Sequence, residues 1–130
     1  MSDTTLYYVH DPMCSWCWGY RPTWDTLQAQ LLQQFNQQLT IKYLVGGLAP
    51  DSELPMPQAM QQMLQQTWHK IAQQLGTQFN HDFWQHCQPR RSTYLACRTT
   101  IVARQYGLEQ QMINSIQQAY YLQARNPSDI

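Results

Sequence analysis

The chain has 130 residues, 43% of them hydrophobic and 12% charged, and its eight basic and eight acidic side chains leave a formal net charge of zero. That length suits one core, and the balanced charge offers no electrostatic footprint for DNA, RNA or an anionic membrane. The 22 glutamines stand among apolar residues at helical spacing, so they read as uncharged helix surface and not as a disordered tract.

The opening residues, Met1 to Thr5, carry no basic run, and the apolar stretch Leu6 to Val9 is too short for a signal-peptide core or a membrane span. A cytoplasmic location is expected, and reduced thiols there argue against a structural disulfide framework for the four cysteines. Leu6-Tyr7-Tyr8-Val9 is aromatic and β-branched and stops at Asp11-Pro12, which predicts a short strand. Beyond Cys14-Ser15-Trp16-Cys17, the residues Trp18, Trp24, Leu27, Leu31, Leu32 and Phe35 recur at three- and four-residue steps. They predict a helix with one face packed inward, kinked or restarted at Pro22. Thr40 to Val45 reads as a second strand closed by Gly46-Gly47, and strand, helix, strand in that order predicts a βαβ unit with parallel strands.

After Pro50 the composition changes. Residues 50 to 57 read as a loop, and the remaining periodic segments are helical. One helix is expected from Pro57 to Gly76. A short one follows from about His81 to Cys87 with Asn80 as N-cap, another is capped by Ser92 and stops at Gly107, and a last one runs from about Glu109 to Arg125. The fold class is therefore α/β, with the sheet early and the helices late.

The Cys-x-x-Cys spacing by itself is weakly specific, and its position supplies the rest. It lies just past the first strand, at the start of a helix, within a βαβ unit, where thioredoxin-like redox sites are expected. Residues three apart in a helix have Cα atoms about 5 Å from each other, inside the range a disulfide needs. Cys14, at the helix N-terminus, is expected to have a moderately lowered pKa and to act as the nucleophile. Cys17, one turn further in and less exposed, resolves the mixed disulfide. A zinc site would need His81, His86 and Cys87 as further ligands, whose spacing matches no common pattern, so no metal is expected. Cys87 and Cys97 read as helix thiols. Trp16 and Trp18 are candidates for an apolar substrate platform, and Gly46 and Gly47, lacking Cβ atoms, for the place where substrate approaches the sulfurs.

The run Tyr8-Val9-His10-Asp11-Pro12-Met13-Cys14-Ser15-Trp16-Cys17-Trp18-Gly19, with Gly46-Gly47-Leu48, Pro89-Arg90-Arg91-Ser92-Thr93 and Cys97-Arg98, resembles the DsbA-like thioredoxin-fold oxidoreductases. Within them it is similar to the cytoplasmic protein-disulfide isomerases related to FrnE. The resemblance implies a thioredoxin-like βαβ part over residues 1–49 and a helical insertion over 50–130. It also implies that the family's closing ββα part, with its cis-proline, is absent, so that the chain is expected to be a fragment of a longer one. The implied activity is thiol-disulfide exchange at Cys14 and Cys17 with no bound cofactor, electrons coming from glutathione or a thioredoxin-type protein. Protein or small-molecule thiols and disulfides are the expected partners, along with a homo-oligomer formed through the open sheet edge. Two alternatives stay open: a glutathione-dependent isomerase or transferase acting on a small aromatic substrate, and a non-catalytic peptide-binding module.

Overall fold

The structure, a computed structural model, describes residues 3–129. Strand β1 (Thr4–His10) and strand β2 (Leu39–Val45) pair in parallel, in register from Thr4 opposite Leu39 to His10 opposite Val45. A parallel pair needs a crossover, and helix α1 (Ser15–Phe35) with a 3-10 turn (Asn36–Gln38) supplies it. Four helices follow: α2 (Gln58–Leu75), α3 (Phe83–His86), α4 (Tyr94–Arg104) and α5 (Glu109–Tyr121). This is the expected α/β order, a βαβ start followed by helices.

Alternation along the strands decides which side chains are covered. Leu6, Tyr8, Ile41 and Tyr43 share the inner face and pack against Trp24 of α1 and Ile113 of α5. Tyr7, Val9 and Leu44 share the other face and are exposed. Among the described residues each strand pairs only with the other, so each keeps one open edge.

The larger core belongs to the helices. Trp68 of α2 is fully buried, with Phe79, Phe83, Tyr120 and Tyr121 around it and ring centroids 4.9 Å (Phe79) to 6.0 Å (Phe83) away. Helix α1 packs closely on α2 at Gly19: a Cβ there would lie 2.7 Å from Cγ2 of Ile71, so only glycine lets α1 and α2 approach this closely.

Several expectations need correction. α1 runs through Pro22 as one continuous helix, which excludes the expected restart there. Pro22 is exposed and costs the helix one hydrogen bond, while buried Gly19 and Trp24 hold it on either side. The inward face expected of α1 is only half realised, because Leu27, Leu32 and Phe35 are exposed. Twenty-one helical residues span about 32 Å, whereas a seven-residue strand spans about 23 Å, so the sheet cannot cover the helix. Ser92 caps nothing: α4 starts after Thr93, whose hydroxyl accepts from the Ala49 N–H instead. Asn80 accepts from the Asp82 N–H, which organises the turn before α3 and not the helix itself. α5 stops at Tyr121 and not near Arg125, and Ala124 has a positive φ of 52° that no helix continues through.

Candidate active site

The turn joining β1 to α1 is built on one carboxylate. Asp11 is 2% exposed, and its Oδ1 accepts from the Met13 N–H at 2.8 Å while its carbonyl accepts from the Cys14 N–H at 2.9 Å. Oδ2 accepts from the Leu48 N–H (3.0 Å), beyond the end of β2, and from the thiol of Cys97 in α4 (3.5 Å). A single buried side chain thus ties the turn before Cys14 to the second strand's exit and to the helical part. In the sequence Asp11 stands out only as part of the Asp11-Pro12 pair that ends the first strand. Its signal was the Asp-Pro pair, since Asp favours turns whose side chain accepts from the amide two residues on.

Cys14 is the N-cap of α1, in extended conformation (φ −79°, ψ 117°), and its sulfur accepts from the Cys17 N–H at 3.4 Å. This is the N-cap geometry usually filled by a serine or aspartate oxygen, with sulfur in its place. The arrangement favours the anion: the Cys14 pKa is lowered from 9.0 to about 6, first by the Cys17 thiol donating toward it, then by the Cys17 and Trp16 amides, against burial and the Asp11 charge. The Cys17 thiol moves the opposite way, far up, because it is that donor and because it is desolvated. Burial does not separate the two sulfurs as expected, since both are half-buried; hydrogen bonding separates them. Ser15, between them, is buried, and its hydroxyl accepts from Nε1 of Trp68 at 2.8 Å.

Trp16 is 43% exposed beside the pair, with its ring available to an apolar partner. Trp18 is committed elsewhere: its ring stacks on Tyr121 at 5.5 Å and its Nε1 donates to the Gln78 carbonyl at 3.0 Å. Gly46 and Gly47 lie in the loop beside the turn that carries Cys14. The Gly46 N–H donates to the His10 carbonyl, and Gly47 has φ +64° with the Tyr94 ring only 3.0 Å from where a Cβ would stand. Cys97 is buried and its pKa is raised to about 12, chiefly by desolvation, which holds it as the thiol. Cys87 is half-buried just past α3 and donates to the Ala124 carbonyl. Among the described residues, no three His, Cys, Asp or Glu side chains come together to hold a metal ion. None of the described helices is long and apolar enough to cross a membrane.

A βαβ start with a low-pKa cysteine capping its helix, and a second cysteine one turn on, is the arrangement of thioredoxin-like redox proteins. Solved structures place the fold more closely. A protein from Nitrosomonas europaea, provisionally described as a protein disulfide isomerase, matches with TM-score 0.75 and 25% identity over 97% of this chain and 59% of its own. The cytosolic disulfide reductase DsbM of Pseudomonas aeruginosa, solved with GSH, matches with TM-score 0.74 and 25% identity over 96% of this chain and 59% of its own. The chain therefore spans about three-fifths of these structures' length. Their fold is the DsbA-like thioredoxin fold, and it does not single out the FrnE-related group. No protein-family model and no curated protein matches the chain.

Proposed function

We propose that this protein is a thiol-disulfide oxidoreductase of the disulfide isomerase and reductase type, with Cys14 as nucleophile and Cys17 as resolving thiol. The observation that carries the reading is the Cys14 sulfur accepting from the Cys17 N–H at the first turn of α1. A thiolate held there attacks a substrate disulfide, one substrate sulfur leaves as thiol, and Cys14 is joined to the other. Cys17 then attacks the Cys14 sulfur, releases the second substrate thiol and leaves the Cys14–Cys17 disulfide. The reaction uses sulfur alone, so no metal or bound organic cofactor enters it.

The pair is returned to its reduced form by glutathione or by a thioredoxin-type protein. The glutathione seen with DsbM and the exposed Trp16 ring beside the sulfurs support a thiol partner of that kind. Trp16, with Gly46 and Gly47, is the proposed substrate surface, and Trp18 backs it from the helical core. The cytosolic location of DsbM supports a cytoplasmic one here, and the Asp11 to Gly19 run supports the FrnE-related group. A second copy of the chain is the proposed occupant of the open sheet edge.

Insulin reduction with glutathione as electron source tests the reading. Activity is expected to vanish in Cys14→Ser, whereas Cys17→Ser accumulates mixed disulfides that separate on a non-reducing gel. Equal turnover in the wild type and both variants would remove the oxidoreductase reading.

A further inference from the structure

Behind Cys17 lies a cavity of about 30 Å³ lined by Cys17, His10, Tyr8, Arg21 and Asp25 among others. That is room for one or two water molecules. His10, the last residue of β1, is 4% exposed, and its Nε2 is buried without a hydrogen-bond partner. A buried nitrogen left in that state costs free energy unless something in the cavity meets it. The amide that follows His10 in the chain, the Asp11 N–H, is directed at the Cys17 sulfur, so the strand end and the thiol face each other.

Resting on the oxidoreductase reading, we propose that His10 is the proton acceptor for Cys17 when the mixed disulfide is resolved, reached through water in this cavity. The Cys17 S–H gives its proton through the water to Nε2 of His10. The Cys17 thiolate bonds to the Cys14 sulfur, and the bond from Cys14 to the substrate sulfur breaks, its electron pair leaving with the substrate thiolate. The substrate disulfide is thereby reduced by two electrons and the cysteine pair oxidised by two. The proton on His10 returns to the leaving thiolate or to solvent.

The other groups around the cavity do not fill this role. Tyr8 is held as the phenol, its pKa pushed above the ordinary value first by burial. Arg21 and Asp25 face each other at 3.5 Å, with Asp25 half exposed, and Arg21 also donates to Gln117 at 3.0 Å. Both Asp11 carboxylate oxygens are engaged, by Met13 on one side and by Leu48 and Cys97 on the other. Tyr43, edge-on to the His10 ring, receives the Trp24 N–H at 2.7 Å and donates to Gln28. Burial lowers the His10 pKa; Asp11 and Glu109 oppose that and Arg104 adds to it, which leaves a neutral imidazole with a lone pair to offer near pH 7.

One equivalent of dithiobis(nitrobenzoate) separates the steps. The first thionitrobenzoate released reports attack by Cys14, and the second reports resolution by Cys17. In His10→Gln the first phase should be unchanged and the second slowed about 100-fold at pH 7, the gap narrowing as pH rises and hydroxide replaces the imidazole as base. Equal second phases, both phases slowed together, or a gap that persists at high pH would overturn the proposal. The unaltered chain provides an independent check: around neutral pH its second-phase rate should follow the His10 imidazole titration read by NMR, and a rate with no inflection at that midpoint also overturns it. A wild type that releases no thionitrobenzoate fails as an oxidoreductase, and this inference falls with it.

Discussion

A sulfur at the N-cap of a helix behaves as a switch because its partner donor is itself a thiol. Since the lowered Cys14 pKa comes first from the Cys17 side chain and then from the amides, alkylation of Cys14 should titrate with a midpoint near pH 6 instead of 9. Cys17→Ala should move that midpoint up, while Cys17→Ser, which keeps a donor, should hold most of it; the same midpoint in all three proteins contradicts the assignment. The sign for stability follows from the depressed pKa. The thiolate stabilises the reduced, folded chain fully above pH 9, and this contribution is lost as pH falls through about 6. Asp11 works against the anion while holding the turn together. Asp11→Asn should therefore lower the Cys14 midpoint further, yet cost about 1–3 kcal/mol in urea unfolding, because one acceptor oxygen becomes an amide facing a donor. An unchanged midpoint would remove Asp11 as the opposing charge. The cysteines and their asymmetry were legible in the sequence from spacing and position. The buried ties of Asp11 to Leu48 and Cys97 were not, because they join residues 37 and 86 apart.

The 3.6-residue spacing of apolar side chains and the turn residues between segments located the helices, and aromatic and β-branched runs closed by Asp-Pro and Gly-Gly located both strands. The ends were less legible. A cap depends on where its side chain finds a partner, and the Thr93 hydroxyl found the Ala49 backbone while Ser92 found no helix to cap. Gly19 shows the same limit from another side. Its value to α1 is invisible locally, since a mid-helix glycine costs about 1 kcal/mol of propensity relative to alanine. Gly19→Ala should nonetheless destabilise the protein, because a Cβ 2.7 Å from fully buried Ile71 forces overpacking that outweighs the propensity gain at about 1–3 kcal/mol. Urea unfolding showing a more stable variant would mean that α1 and α2 can separate cheaply.

At the scale of the whole molecule the apolar surface is divided unevenly. The Trp68 core is closed by rings from four segments, whereas the sheet leaves Tyr7, Val9 and Leu44 open on one face and α1 leaves Leu27, Leu32 and Phe35. The stripes were legible in the sequence, but which stripe meets which depends on contacts far apart along the chain. The open edges and this surface lead to an expected concentration-dependent dimer in sedimentation velocity, weakened by Val9→Lys; a compact monomer at all concentrations contradicts it. The bond from Trp68 to Ser15 carries a final implication. If Cys14 and Cys17 exchange disulfides as proposed, the dipeptide between them is the obvious place to retune a potential, but here its first residue also bolts the helical half to the turn that carries Cys14. Changing Ser15 to adjust the electrochemistry would loosen the scaffold at the same stroke.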